Sequence, residues 1–206
     1  MIEIILLVSS ILFIFALKLF GRPSTAHRAN TFAMLAMALA VFSAFNFDFS
    51  KYDSAFYITI VVSGLLGVLI SKRVQMTQMP ELVGLFNGFG GGASGAIAYV
   101  ELSGNSLPIS DVFVAIFSMV IGIFTFSGSL VAVMKLRGKL NNFNKKLADI
   151  FSVFLPAIIL IPVVLEMDDF LIEFIILVSL IGGVIRVAVI GGADMPVVIA
   201  FLNSLS

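Results

Sequence analysis

Two asparagines occupy matching positions in two apolar stretches of this chain. Asn87 follows Pro80 by seven residues, and Asn203 follows Pro196 by the same interval. Each proline comes directly after a methionine, and a proline in the first turn of a helix costs no hydrogen bond. At about 1.5 Å per residue, each amide would lie roughly 10 Å inside its helix. Two interpretations are open: the amides join helices by hydrogen bonds, or they hold water along a hydrated path.

Three charged residues and one hydroxyl flank these stretches. Asp194 comes just before the second Met-Pro pair, where its carboxylate suits a helix N-cap or contact with a cytoplasmic partner. Arg186, near the end of the preceding apolar run, can pair with Asp194 or with Glu81, which follows the first Met-Pro pair. Ser129 ends the cluster Thr-Phe-Ser-Gly-Ser, and its hydroxyl either packs between helices or joins a water chain with the asparagines.

Glycines are dense around the first asparagine. Gly84, Gly88 and Gly92 recur every four residues, which in membranes is typical of close helix packing. The alternative is a stretch that unwinds or rotates, because each helical Gly costs about 1 kcal/mol relative to Ala. A dinucleotide-binding fingerprint is excluded, because these glycines lie inside an apolar run and not between a strand and a helix.

The sequence lacks the residue patterns expected for a metal site, for nucleophilic catalysis or for a buried proton carrier. The chain has no Cys and a single His, so a metal site is not predicted. That histidine, His27, lies beside Arg28 and is predicted to be a solvated loop residue. No serine has a base beside it for nucleophilic catalysis, and no apolar run holds a carboxylate or His near its middle that could carry a proton. We therefore expect no catalytic residues in this chain.

The composition predicts an all-α membrane protein. Of 206 residues, 60% are hydrophobic and 12% are charged, and the mean hydropathy is +1.17, whereas soluble domains carry roughly 25% charged residues. Lys and Arg together number 12, as do Asp and Glu, so there is no basic surface for nucleic acid. The chain is predicted to be a polytopic transmembrane helix bundle, a single domain over residues 1–206.

Apolar runs long enough to cross a bilayer follow one another almost without a break. About 20 residues are needed for a crossing, and the runs predict about seven full spans plus a partial eighth. We label them A 2–20, B 31–47, C 55–71, D 80–100, E 112–134, F 148–165, G 170–190 and H 194–206.

The basic residues predict which side of the membrane each loop faces. Of the 12 Lys and Arg residues, 11 lie at the A–B, C–D, E–F and G–H loops, and only Lys51 does not. Because cytoplasmic loops are rich in Lys and Arg, these four loops are predicted to be cytoplasmic and the N-terminus outside, in the cell (inner) membrane. Runs D and H then both enter from the cytoplasm, as in a parallel internal repeat.

Several segments resemble one known family. MTQMPELV (76–83), FSGSLVA (126–132), GGADMPVV (191–198) and LNS (202–204) are similar to the beta subunits of proton-translocating NAD(P) transhydrogenases. The stretch 11–15 and the loop 135–139 are similar too. The likeness extends over essentially the whole chain, and GGADMPVV is its most specific part.

The resemblance implies a role in a larger enzyme. In that family, hydride passes between NADH and NADP⁺ in two cytoplasmic domains, coupled to proton movement through a membrane domain. This chain would be part of that membrane domain and bind no cofactor itself, with NAD(H) and NADP(H) in partner domains. Its partners would be the alpha subunit or subunits and the NADP(H)-binding domain, in a dimeric assembly within the lipid bilayer.

The resemblance also implies roles for individual residues. Asn203 matches an asparagine of the proton path, Ser129 a serine near it, and Asp194 the carboxylate that faces the NADP(H)-binding domain. With Asn87 we expect the first two to form the proton pathway. With Arg186 and Glu81 we expect Asp194 to couple the membrane domain to the nucleotide domain.

The sequence departs from the family in two respects. Asn87 stands where many relatives have a protonatable histidine, so the titrating group would come from a partner subunit, or coupling would be impaired. The chain also ends soon after Asn203, whereas relatives continue, so we expect a truncated product or a split gene that cannot bind NADP(H) or transfer hydride alone. Two other functions stay open, an independent secondary transporter or ion channel, and a scaffold without conduction.

Overall fold

Every regular element that the structure describes is a helix. The computed structural model describes residues 2–44, 52–104, 108–140 and 169–205, and no strand occurs among them. The all-α prediction is confirmed. The helices are α1 (Ile2–Phe20), α2 (Ala26–Ala44), α3 (Ser54–Arg73), α4 (Met79–Gly104), α5 (Ile109–Leu136), α6 (Asp169–Ala188) and α7 (Met195–Leu205).

The predicted runs correspond closely to these helices. Run A coincides with α1, and runs C, D, E, G and H each lie on a helix of similar bounds. Run F (148–165) lies outside the described residues. The largest difference is at α2, which begins five residues before run B because a 3-10 turn, Pro23–Thr25, leads directly into it. Thr25 stabilises that turn, since its Oγ1 donates to the carbonyl of Leu19 at 2.6 Å.

Four of the described helices, α1, α3, α5 and α6, are long and apolar enough to cross a membrane. At 19 and 26 residues, α2 and α4 have the required length. Their apolar character is diluted by the polar start of α2 and by the glycines of α4. The helix α7 is shorter, with 11 residues. The chain is a multi-pass membrane protein built as a helix bundle.

The chain divides into two compact units, residues 1–72 and 73–206. In the first unit, α1 and α2 pack through small side chains: Ser9, Ala16, Ala29 and Ala36 are all buried. The hydroxyl of Ser9 donates to the carbonyl of Ala36 at 2.7 Å, which joins the two helices where no bulky side chain separates them. The single membrane domain predicted from the sequence stays a prediction.

In the second unit, α5 lies at the centre and packs against α4, α6 and α7. It contributes to both apolar clusters of the core. One cluster joins α5 to α6 and α7 through Val131, Ala132, Val187, Ala188, Met195, Ile199 and Leu202. The other joins α5 to α4 and α6 through Ala98, Ile116, Met119, Val120, Ile172 and Ile175.

Glycines set how closely α4 approaches α5. A Cβ on Gly91 would lie 2.7 Å from the carbonyl oxygen of Gly122, and a Cβ on Gly95 would lie 2.8 Å from the Ile123 side chain. The close-packing interpretation of the glycine run is therefore correct. The predicted face is confirmed at Gly84 and Gly88, and beyond Gly88 the buried face follows the helical repeat through Gly91 and Gly95. Gly92 lies at the edge of that face, where a Cβ would be 3.1 Å from the Phe126 ring.

The contact between α5 and α6 is equally close. A Cβ on Gly183 of α6 would collide with the Ser127 hydroxyl and the Phe124 carbonyl of α5. The Ser127 hydroxyl donates to that same carbonyl at 3.2 Å. With backbones in contact on two sides, α5 is held firmly, and the polar side chains it carries have defined positions.

Candidate functional site

Two helices of the second unit begin in the same way. The 3-10 turn Met76–Gln78 precedes α4, and the 3-10 turn Gly192–Asp194 precedes α7. Each turn is entered from an extended backbone residue, and each helix opens on its Met-Pro pair. The repeated sequence pattern is therefore accompanied by a repeated local structure. Asn87 and Asn203 occupy equivalent positions along their helices.

Asn87 and Ser129 are hydrogen-bonded inside the bundle. The amide Nδ2 of Asn87 donates to Ser129 Oγ at 2.9 Å. The two residues are 8% and 0% exposed. A Cβ on the neighbouring Gly88 would lie 3.2 Å from the Ser129 Cβ, so the absence of a side chain there makes room for the serine. The structure thus brings together two of the three residues predicted for the proton pathway.

This hydrogen bond leaves half of the Asn87 amide unused. Its Oδ1 is buried and has no partner in the described part of the chain. A buried carbonyl without a partner costs about 1–3 kcal/mol, and such groups in native proteins are usually satisfied by ordered water. The interhelical interpretation of this asparagine therefore accounts for its nitrogen and not for its oxygen.

A cavity of about 640 Å³ lies between α4 and α7, and both asparagines line it. Asn87 is buried and Asn203 is exposed. A water molecule takes about 30 Å³ in the liquid, so the cavity has room for several. Its lining residues are Val83, Phe86, Asn87, Gly90, Pro196, Ile199, Ala200 and Asn203.

The structure adds Thr125 to this polar group. Thr125 is completely buried, and its Oγ1 has no partner among the residues the structure describes. It lies one helical turn before Ser129 on α5 and faces α4, where a Cβ on Gly91 would come within 2.8 Å of it. In the sequence, Thr125 belongs to the same hydroxyl cluster as Ser129, and the predicted pathway includes only Ser129. The spacing of four residues was the signal that both hydroxyls share a face.

Glu81 is one of the residues predicted to couple to a nucleotide domain, with Arg186 as its possible partner. In the structure it pairs with Arg137 instead. Its Oε2 lies 2.6 Å from Nε of Arg137, an ion pair that joins the start of α4 to the residue after α5. Arg137 is 51% exposed and Glu81 19%, so the pair contributes at most about 1 kcal/mol. Arg186 is exposed and makes no salt bridge within the described ranges.

Asp194 lies directly before α7 (Met195–Leu205). It is the last residue of the 3-10 turn Gly192–Asp194, whose N-cap is Gly191. The carboxylate is therefore in the first turn of the helical segment, still near the positive end of the helix dipole. It is exposed and accessible to a partner.

Lys135, predicted from the sequence to be a charge of a cytoplasmic loop, is buried. It is 5% exposed, and its Nζ donates to the carbonyl of Ile190 at 2.5 Å. A Cβ on Gly192 would lie 3.5 Å from the Lys135 carbonyl oxygen. Lys135 therefore links the end of α5 to the turn that leads into α7.

The side chains that meet here are amides and hydroxyls, which both donate and accept hydrogen bonds. No group of three or more His, Cys, Asp or Glu side chains suited to a metal occurs in the described segments. Amides and hydroxyls keep their protons at physiological pH, so Asn87, Ser129, Thr125 and Asn203 can orient and relay through water but cannot store a proton.

The sequence matches one known protein family over nearly its whole length. A family model described as NAD(P) transhydrogenase beta subunit matches residues 2–206. NAD(P) transhydrogenase subunit beta of Rhodospirillum rubrum is 29% identical over 214 residues, covering 97% of this chain and 46% of the relative. A second sequence of that name, from a particular strain of the species, gives the same figures. The chain spans about half the length of the curated relatives it matches.

Proposed function

The chain belongs to the NAD(P) transhydrogenase beta subunit family, and we propose that it forms part of the proton pathway of a proton-translocating NAD(P) transhydrogenase. In the proposed function, proton movement through this membrane subunit is coupled to hydride transfer between NADH and NADP⁺. The hydride site and both nucleotides belong to partner domains, carried by the alpha subunit or subunits and by an NADP(H)-binding domain. The position of the glycine run inside α4 (Met79–Gly104) supports a nucleotide site elsewhere.

One observation carries this proposal: Asn87 and Asn203 line the same cavity, and Asn87 Oδ1 has no protein partner in the described structure. Water in the cavity would satisfy that oxygen and reach Asn203. Through the Asn87–Ser129 hydrogen bond, and from there to the Thr125 hydroxyl one turn away, the polar path continues into the bundle. The path consists of groups that hold water in position.

The proton carrier in this proposal comes from outside the cavity. By the family resemblance, Asn87 stands where many relatives have a histidine, and an amide does not titrate in the physiological range. Water bound by the amides would pass protons to a titratable group on a helix of a partner subunit. Such a helix can approach because the α7 side of the cavity is open at Asn203, an exposed residue.

Coupling to the nucleotide domain is proposed to act through α7. Asp194 and Asn203 are nine residues apart, about 13 Å along a helix, so a force at the exposed carboxylate reaches the cavity through one short rigid element. The buried face of α7 consists of Met195, Ile199 and Leu202. Tilting α7 on that face would change the hydration around Asn203 and Asn87. Glu81 and Arg186 also lie near the helix ends on this side.

The proposed sidedness follows from the basic residues. With 11 of the 12 Lys and Arg residues at alternate loops, the N-terminus lies outside the cell membrane and the starts of α2, α4 and α7 face the cytoplasm. Asp194 is then on the side where the nucleotide domains dock. A dimer of the complete enzyme is the proposed assembly.

The test replaces Asn203 in the assembled enzyme. Asn203→Leu should abolish proton-linked hydride transfer in sealed vesicles and leave nucleotide binding unchanged, because only the cavity loses its amide. The readouts are hydride transfer followed by absorbance and proton uptake followed by a pH-sensitive dye. Asn30→Leu on α2 is the matched control, since that exposed amide donates to Met34 Sδ, one turn along its own helix, at 3.6 Å. Unchanged coupling in Asn203→Leu would refute the role.

An independent transporter or channel is the second candidate. The repeated turn and Met-Pro start of α4 and α7, with a cavity between them, favour it, since transporters often place sites between structural repeats. The 206-residue chain reconstituted alone in liposomes distinguishes the two functions. Ion flux without any partner would favour the channel, and proton movement only in the assembled enzyme would favour the transhydrogenase subunit.

A further inference from the structure

A second cavity, of about 590 Å³, lies on another side of α7 and is separate from the proposed proton path. It is bounded by α5, α6 and α7, and neither asparagine nor Ser129 lines it. The lining is apolar except for one residue, Arg186. The residues that define it are Arg186 at the end of α6 and Val197, Phe201 and Leu205 on α7; we call it the α7 groove.

Arg186 brings a positive charge to this groove. Arg186 lies two residues before the end of α6, is exposed, and makes no salt bridge with any residue the structure describes. A guanidinium near the end of an apolar helix extends to the level of the lipid headgroups. There its planar donors match the geometry of a phosphate and bind it in a bidentate manner.

The shape of the groove fits a hydrocarbon chain. Along α7, Val197, Phe201 and Leu205 recur every four residues and form an apolar stripe about 12 Å long. Val197 is 72% and Phe201 60% exposed, so the stripe is available. A single extended acyl chain is narrower than a helix, which is about 10 Å wide, and can lie along this stripe.

We propose that the α7 groove binds an anionic phospholipid, with the lipid phosphate on Arg186 and one acyl chain along the α7 stripe. The inference rests on the proposed sidedness, which places Arg186 at the cytoplasmic leaflet, where anionic lipids are enriched. It does not depend on proton conduction. A bound lipid would support the side of α7 that faces away from Asn203.

The test uses tryptophan fluorescence, because the chain contains no Trp. Phe201→Trp in the 206-residue chain places a single reporter in the groove. The chain is reconstituted in phosphatidylcholine vesicles that contain an increasing fraction of either brominated phosphatidylglycerol or brominated phosphatidylcholine. We expect phosphatidylglycerol to bind about fivefold more tightly than phosphatidylcholine, the preference that one basic residue confers near a membrane surface.

Two variants and a control position make the result specific. Adding Arg186→Gln should abolish the preference, and Arg186→Lys should retain a preference because the charge remains. A reporter from Phe174→Trp, exposed on α6 and about 18 Å along the helix from Arg186, should be quenched equally by both lipids. Val197→Trp provides a second reporter in the groove if Phe201→Trp impairs folding.

Several outcomes would overturn the proposal. Equal quenching by the two lipids at position 201 would show that no anionic lipid is selected, and a preference that survives Arg186→Gln would show that the arginine does not select it. Quenching by neither lipid would show that a protein segment covers the groove. As an independent measurement, the purified assembled complex should retain phosphatidylglycerol, and the Arg186→Gln complex should lose it.

Discussion

The amide nitrogen of Asn87 donates to the hydroxyl of Ser129 across 42 residues of sequence, at 2.9 Å. The bond joins α4 to α5 at the point where Gly88 leaves room for the serine. It also aims the Asn87 amide, because fixing the nitrogen fixes the direction of Oδ1. That oxygen is the group left without a partner in the described structure, beside the cavity shared with Asn203.

Removing the acceptor should destabilise the bundle. Ser129→Ala leaves the Asn87 Nδ2 buried without its partner, a loss of about 1–3 kcal/mol in the free energy of unfolding. Thermal unfolding in detergent measures it. Ser179→Ala is the matched control, because Ser179 is buried but donates only to Ile175 in its own helix at 2.7 Å. Equal losses in the two variants would mean that the interhelical hydrogen bond contributes no more to stability than the one within a helix.

Restoring a titratable group at position 87 should change the pH dependence of the assembled enzyme. A histidine with its ordinary pKa of about 6.5 changes charge in the physiological range, whereas an amide does not. We expect the pH profile of coupled turnover in Asn87→His to gain a transition near that pH. Asn87→Gln should keep the wild-type profile. If all three profiles coincide, position 87 does not take part in proton transfer.

Two neighbouring glycines of α4 should respond in opposite ways to alanine. A Cβ on Gly91 would meet the backbone of Gly122 at 2.7 Å, and such overpacking costs typically about 1–3 kcal/mol. A Cβ on Gly90 would meet nothing within 4 Å. Gly90→Ala should therefore be neutral or stabilise the helix by up to about 1 kcal/mol.

The midpoint of thermal unfolding for the two alanine variants, measured side by side, checks this prediction. A Gly91→Ala protein as stable as Gly90→Ala would mean that α4 and α5 are not in backbone contact at this crossing. Because helix propensity changes equally in both variants, the difference between them reports packing alone.

Loss of the Lys135 side chain contact should loosen the turn before α7. Lys135→Met keeps most of the buried volume but removes the donor to the Ile190 carbonyl, at a cost of about 1 kcal/mol. Hydrogen exchange of the amides from Ile190 to Met195 should become faster. Lys139→Met, at an exposed position, is the control and should leave that exchange unchanged. Equal exchange in both variants would contradict the proposed link.

Much of the helical framework follows from the sequence, because helix formation and transfer into lipid depend on local composition. A continuous apolar run of sufficient length has few alternatives to a helix in a membrane, and α1 (Ile2–Phe20) coincides with its predicted run. The Met-Pro pairs mark where α4 and α7 begin for an equally local reason, since proline is accepted in the first helical turn. The equivalent positions of Asn87 and Asn203 along their helices were visible for this reason alone.

Which groups meet was decided only by the rotation and crossing of the helices. The sequence shows glycines every four residues, but the crossing selects Gly91 and Gly95 over Gly92, because a packed face follows 3.6 residues per turn. Likewise, Glu81 meets Arg137 because α4 begins beside the end of α5, and Lys135 is buried because α6 and α7 close over it. Composition sets which segments become helices, whereas contacts across tens of residues depend on how whole helices pack, which no local pattern records.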